Sequence, residues 1–353
     1  MILNYATEIE RRITPAQRVS KSRHIITFPS ANAESHLLHE TSFRDVAILR
    51  GLNILPFGIP CEGGWWPFEK LDHAWRTGYR PLMEAYESLA KIVTSEDILM
   101  AAGGSMMHPE FVKTLPSYNV FICGDDPDSS NVLSRPAAPA FDWCFTYNIA
   151  CVEDYKKWGC KNADWIFIPP ASWFELNSPT EEEMLNPDRF IDTVMFCERV
   201  YGISDRAQRI EALINTFPQT LVRGQGWPGG FVTNDEIIAY YKHSKIGWNL
   251  HNSLGPTNSR LYALPIMGLM QICDNKSNLG KIFKLDHEVV GFDTIEECLE
   301  KTRYYLDHED ERREIAYNGW KRVRADYCLG NYYSYIHKKI AEDAMKKRMG
   351  LPR

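Results

Sequence analysis

The chain has 353 residues, is 44% hydrophobic and 24% charged, and carries a formal net charge of -6. That is enough chain for roughly two domains with sizeable cores that need no disulfide staples. A net negative balance speaks against a dedicated duplex-DNA binder, which is usually basic, and leaves room for a local basic patch.

The nine Cys are an odd number with no C-x-x-C pair. Cys123, Cys144, Cys197 and Cys273 fall inside apolar runs and read as small buried hydrophobes in a reducing compartment. The start "MILNYATEIERR" lacks the basic and apolar regions of a signal peptide, and no apolar run approaches the ~20 residues that span a bilayer. A cytoplasmic location is expected.

From the amino terminus, strand-like runs occur at 24–28, 53–57, 97–101, 119–123, 142–147 and 165–169. Amphipathic stretches such as 36–51 and 150–160 lie between them, the alternation of parallel βαβ units. The polar, acidic segment 172–189 holds two prolines and reads as a linker or hinge. Strand runs then resume at 192–197, 220–224, 245–250, 269–273 and 288–292. Helices are expected at 204–216, 234–243, 258–264, 294–306 and 309–327, and a last amphipathic helix begins at "YYSYIHKK". The expected fold class is α/β, with two Rossmann-like domains facing a cleft. Their boundaries are 1–180, 181–330 and a terminal helix with a basic tail at 331–353.

The richest constellation lies in the second half. Loops 197–206, 223–230, 251–260 and 274–280 all follow strand ends and should converge on one edge. They carry glycines for close backbone approach, arginines for phosphate, and a helix start at Thr257–Ser259 with Thr257 or Asn258 as N-cap. Free N–H groups at such a start suit a diphosphate. No loop has P-loop or G-x-G-x-x-G spacing, which disfavours ATPase and dehydrogenase readings. The donor-side candidates are Arg199, Arg206, Gly224, Gly226, Trp227, His251, Thr257, Asn258, Ser259, Arg260 and Tyr262.

The stretch "KIGWNLHNSLGPTNSRLYALPIMGLMQICDN", with "TIEECLEKTRYYLDHEDERREIAYNGWKRV" after it, resembles the carboxyl half of glycosyltransferases of the spore-coat CgeB type. Residues 121–172 are similar to the end of that family's first domain. The resemblance implies a GT-B fold, with a nucleotide-sugar donor on the second domain and the acceptor on the first. It implies a last helix crossing back to the first domain, no required cofactor and no essential metal. By position, Arg260 and the Thr257–Ser259 start would face the donor diphosphate. Gly224, Gly226 and Trp227 match the family's glycine-tryptophan stretch. Where the family has Phe-Glu after the helix Arg, this chain has Leu261-Tyr262, and Pro265 interrupts the helix.

An inverting transferase of this fold takes its base from the first domain, and Glu34, His36 and Asp126 are the candidates. Asp126-Pro127-Asp128 has the Asp-x-Asp spacing of metal-dependent transferases, but a turn capped by Asp side chains is the plainer reading, and no metal is expected. Trp65 and Trp66 suit an acceptor loop, since flat rings stack on sugars. Basic residues near both ends, Arg11, Arg12, Arg18, Lys21 and Arg23 with Lys346, Lys347 and Arg348, would form an anion-binding face if brought together.

The expected activity is sugar transfer from a nucleotide-diphosphate-sugar, a UDP-sugar first, to an acceptor hydroxyl on a glycan, lipid, protein or modified DNA base. An anionic acceptor such as DNA or a lipid headgroup remains open. A nucleotide-sugar epimerase or hydrolase, and a non-catalytic nucleotide-sugar binder, are the alternatives. Oligomeric state is left open.

Overall fold

The computed structural model describes residues 22–30, 53–61, 66–102, 106–199, 205–251, 258–274 and 276–352. Glu34, His36, Trp65, Thr257, Arg11, Arg12, Arg18 and Lys21 lie outside the described residues, as does the expected helix 36–51.

The chain divides into two compact units. One joins residues 16–167 to 330–353, and the other contains 168–329. In the first, six parallel strands lie in the order β2-β1-β3-β4-β5-β6. They are β1 (His24–Ser30), β2 (Ile54–Pro60), β3 (Ile98–Ala102), β4 (Tyr118–Cys123), β5 (Trp143–Thr146) and β6 (Ala163–Trp165). The central β4, "YNVFIC", is buried along its whole length, as a parallel strand covered on both faces must be. Helices Phe68–Arg76 and Arg80–Ile92 lie between β2 and β3 in the chain. They bury Leu71 and Ala74, and Leu82, Tyr86 and Leu89, at the three-to-four spacing of one helical face. The run expected at 165–169 ends earlier, at Trp165. Ile166 still donates its N–H to Thr146, but Pro169 and Pro170 have no N–H to continue a ladder.

The last helix, Leu329–Arg348, belongs to this unit from Gly330 onward, and its polar residues fasten it to the sheet. Tyr118 donates to Asp343 at 2.7 Å, and Lys347 donates to Ser117 O at 2.6 Å and to Asp142 at 2.7 Å. Arg348 donates to Glu96 O at 2.9 Å, and Lys346 pairs with Glu342 one turn back. Arg23 is bound to Asp97 at 2.8 Å. The expected anion-binding face is therefore corrected for these residues, because their charges are engaged by carboxylates and carbonyls of their own unit.

His24 and His337 meet inside the unit, Nε2 to Nε2 at 2.5 Å. Burial, and then the nearby His337, push the His24 pKa down to about 3. Burial, and then the Arg348 charge, push His337 down to about 4. A base whose folded pKa lies below its unfolded value of about 6.5 resists protonation only while folded. Its stabilising contribution is full above pH 6.5 and falls as pH drops from there toward 4 and 3. Equilibrium denaturation across pH 7.5 to 4.5 should show stability declining by up to about 1.4 kcal/mol per pH unit per His below pH 6.5. His337→Leu should roughly halve that slope, and an unchanged slope would count against the pair.

The second unit holds five parallel strands in the order β11-β10-β9-β7-β8. They are β7 (Ile191–Phe196), β8 (Leu221–Arg223), β9 (Ser244–Asn249), β10 (Met270–Cys273) and β11 (Val290–Gly291). Helices Arg206–Thr216, Asn234–His243, Arg260–Ile266, Ile295–Asp307 and Glu309–Asp326 alternate with them. The order reverses between β7 and β9, where ligands bind beyond the carboxyl ends of strands in open α/β sheets.

Segment 172–189 is not a bare linker. It forms helices Ser172–Asn177 and Glu181–Leu185, the second started by a Thr180–Glu183 capping box. Ser178 donates to Ile266 O at 2.8 Å and accepts from Trp320 Nε1 at 3.1 Å, so residues 168–180 pack with the second sheet.

Candidate functional site

The carboxyl ends of β7, β9 and β10 carry one connected polar network. Arg260, the first residue of helix Arg260–Ile266, sends its guanidinium back across the switch point. It donates to Phe196 O at 3.0 Å, to Leu250 O at 3.1 Å and to Asn249 Oδ1 at 3.2 Å. Asn249 Oδ1 also accepts from Asn258 at 2.7 Å, and Asn249 Nδ2 donates to Gln271 at 2.8 Å. Gln271 Nε2 donates to Leu261 O at 3.1 Å. That last bond explains how the helix tolerates Pro265, which has no N–H to offer the carbonyl four residues earlier. The helix does not stop early at Pro265; it continues to Ile266.

Asn258 Oδ1 accepts the Leu261 N–H at 3.0 Å, so Asn258 fastens the helix start, and Ser259 is exposed beside it. The helix has seven residues, and the N–H groups of Leu261, Tyr262 and Ala263 are bonded within the chain. An anion here would therefore be held mainly by side chains, rather than by a long helix dipole.

Beside this network lies His251. Its Nδ1 meets Asp274 Oδ1 at 2.5 Å, its own N–H donates to Asp274 Oδ2 at 3.0 Å, and Arg209 reaches the same oxygen at 3.3 Å. His251 Nε2 is buried without a hydrogen-bond partner among the described residues. Arg206 is buried, donates to Glu198 O at 3.0 Å, and has its pKa lowered by burial, with the Arg260 charge adding to the effect. His251 and Arg209 thus share one carboxylate, Asp274, whose charge also reaches Arg206.

His251, Cys273 and Asp274 offer ligand atoms within 4.8 Å of one another. Burial, then the Asp274 charge, push the Cys273 thiol well above its ordinary pKa. The imidazole Nδ1 is already tied to the Asp274 carboxylate. The donor set fits a His–Asp pair better than a metal centre.

The glycine loop after β8 packs inward. Gly224 sits at φ +138°, where an added Cβ would lie 2.1 Å from Cys197 O. Gly226 lies over Arg199, and Trp227 is buried under the Arg199 guanidinium, 4.9 Å from its ring centroid. Arg199 also pairs with Glu211. These residues build the wall of the edge, and Arg199 is engaged within it.

Three expectations are overturned by burial. Tyr262 is fully buried against Phe283 and Tyr327, out of reach of a donor. Trp66 is 4% exposed in the first unit's core with Lys70 over its ring, so it offers no open face to a sugar. Asp126 is buried too: its carboxylate accepts from Ser130 at 2.8 Å, Ser134 at 2.7 Å and Tyr155 at 2.6 Å. It ties a turn together, which neither a base nor an Asp-x-Asp metal ligand can do at the same time. The neighbouring Asp125 is exposed, and its carboxyl is raised by partial desolvation and by the charges of Asp126 and Asp128.

Sequence reasoning missed Arg209, Asn249, Gln271 and Asp274. Arg209 stands one turn after Arg206, and Asp274 directly follows β10, the same signal that singled out His251.

Solved structures similar to this chain are known. HepE from Anabaena in complex with UDP matches with TM-score 0.57 and 10% identity, covering 91% of this chain and 100% of its own. A glycosyltransferase from Rickettsia africae ESF-5 matches with TM-score 0.61 and 13% identity, over 93% and 99%. An α-glucosyltransferase in complex with UDP-glucose and DNA containing an abasic site matches with TM-score 0.62 and 12% identity, over 90% and 99%. The fold is that of the GT-B glycosyltransferases. Residues 205–337 match the family model described as glycosyl transferase-like, so the polar network from Arg206 to Asp274 lies inside the matched segment. A comparison with curated proteins finds no match.

Arg260→Ala should destabilise the protein even without ligand. The carbonyls of Phe196 and Leu250 lose this donor, while Asn249 Oδ1 keeps Asn258, and an unsatisfied buried polar group costs about 1–3 kcal/mol. Urea denaturation checks this. A stability equal to wild type would mean that the guanidinium is free for ligand and holds nothing in place.

Proposed function

We propose that this protein is a glycosyltransferase that takes a sugar from a UDP-sugar donor, as the resemblance to the spore-coat CgeB type implies. The observation that carries the reading is the His251–Asp274 pair set among Arg206, Arg209 and Arg260 at the switch point of the second sheet. A diphosphate leaving group needs such cationic donors where charge develops as the sugar departs. His251 holds Asp274 through Nδ1, and its buried Nε2 has no partner among the described residues. Nε2 would serve as the ring's second donor, to a phosphate oxygen, with Asp274 fixing the ring through Nδ1. Arg260 keeps two of its five N–H groups beyond its three protein bonds, and Arg209 contributes long-range charge. Side chains would then do the work that a metal ion does in other transferases, and turnover would survive chelation.

The donor is proposed to be a UDP-hexose because HepE binds UDP and UDP-glucose, as does the α-glucosyltransferase. The second unit is proposed as the donor domain and the first as the acceptor domain. No described helix is long and apolar enough to cross a membrane, and a cytoplasmic enzyme is proposed. DNA is one candidate acceptor, since the α-glucosyltransferase is seen with it. Asp125, exposed at the end of β4 with a raised pKa, replaces Asp126 as the described acidic candidate for a base.

Calorimetry with UDP tests the site. Removing a hydrogen bond to a charged group costs about 1.5–3 kcal/mol, so His251→Ala should raise the Kd for UDP about tenfold or more. Asp274→Asn should weaken binding in the same direction. Unchanged UDP affinity in a folded His251→Ala variant would remove the site. Donor incubation followed by product analysis separates transfer from hydrolysis and from binding without turnover.

A further inference from the structure

At the other end of the second sheet, before β9 and β10 begin, three arginines line one cleft, two of them bonded to helix ends. Arg189 donates to Tyr241 O at 2.9 Å, Ser244 O at 2.5 Å and Met267 O at 2.9 Å. Arg312, 5% exposed, donates to Tyr305 O at 2.7 Å. These bonds cap helix ends and leave each guanidinium with further N–H groups. The cleft also takes in Arg313, Ala316, Glu309 and Gly268. Gly268 lies at φ +78°, and a Cβ there would come 2.5 Å from Arg189 Nη2, so the backbone makes room for the guanidinium.

Among the described residues Glu309 is the one carboxylate lining the cleft against three arginines, at 3.8 Å from Arg312 and 3.3 Å from Arg313, and the charge of Asp192 also reaches Arg312. Burial, and then the Arg312 charge, lower the Arg189 pKa to about 10, and burial also lowers that of Arg312. Two largely enclosed guanidinium groups lining one cleft are costly to keep charged without an anion between them. The free space is about 30 Å³ for water-sized groups. That suits a small oxyanion or a few waters, and it does not suit a sugar.

We propose that the cleft between Arg189 and Arg312 binds a phosphate group, as a second anion site separate from the proposed donor site. Its donors are the remaining N–H groups of Arg189 and Arg312 with the more exposed Arg313, and Glu309 opposes the anion. Occupancy would tie helix Glu309–Asp326 to the segment bearing Arg189, and so stabilise the second unit.

The test is thermal unfolding of the full chain in inorganic phosphate at constant ionic strength set with potassium gluconate. The expected result is a saturable rise in Tm, half complete below ~10 mM phosphate. Arg313 and Glu309 are 43% and 59% exposed, so substitution there leaves the fold intact. Arg313→Gln should shift the midpoint to higher phosphate, and Glu309→Gln should shift it to lower phosphate. Methyl phosphate with the same midpoint would point to the phosphate group of an ester, and a response to inorganic phosphate alone to the free ion. A linear rise that is the same in wild type and both variants is a general salt effect and overturns the proposal. So does no rise.

Discussion

The Arg260 guanidinium bonds to the carbonyl that ends β7 and to the carbonyl just past the end of β9, and the second unit's functional edge depends on that clamp. Both acceptors are backbone oxygens at the point where strand order reverses. A short helix then starts where the clamp is, and its weak dipole matters less than the side chains it aligns. Through Asn249 the clamp is joined to Gln271 and Asn258, so one polar knot fixes the strand ends, the helix start and the gap left by Pro265. Each buried polar atom in the knot has a partner, which is the condition under which such a network stiffens a site.

That stiffness bears on chemistry. Asp274 follows directly on β10 and His251 lies two residues past β9, so the rigidity of those strand ends is passed to the pair. A preorganised donor avoids reorganisation as a diphosphate leaves. The glycine loop after β8 contributes by close backbone approach at Gly224, which lets the wall of Trp227 and Arg199 stand against the edge.

The strand runs were legible because parallel strands covered on both faces must be apolar throughout; β4 and β10 show this most plainly. What sequence could not tell was partnership. Lys347 and Arg348 read as free charge, yet each meets a carbonyl or carboxylate more than 200 residues away. Tyr262 and Trp66 read as contact residues because aromatic rings suit sugars, but the same rings suit a core, and burial decided. Segment 172–189 looked like a linker by composition, while its capping box at Thr180 was present in the sequence all along. His251 was legible as a residue following a strand; its partner Asp274 was not, because pairing across two strands depends on register.

The central claim is that the switch point of the second sheet holds the donor diphosphate. A crystal structure of the protein with UDP tests it most directly. The account predicts a phosphate oxygen within hydrogen-bond distance of His251 Nε2, with the Arg260 clamp on Phe196 and Leu250 unchanged. UDP bound elsewhere, or bound there with His251 Nε2 still unpartnered, would contradict it.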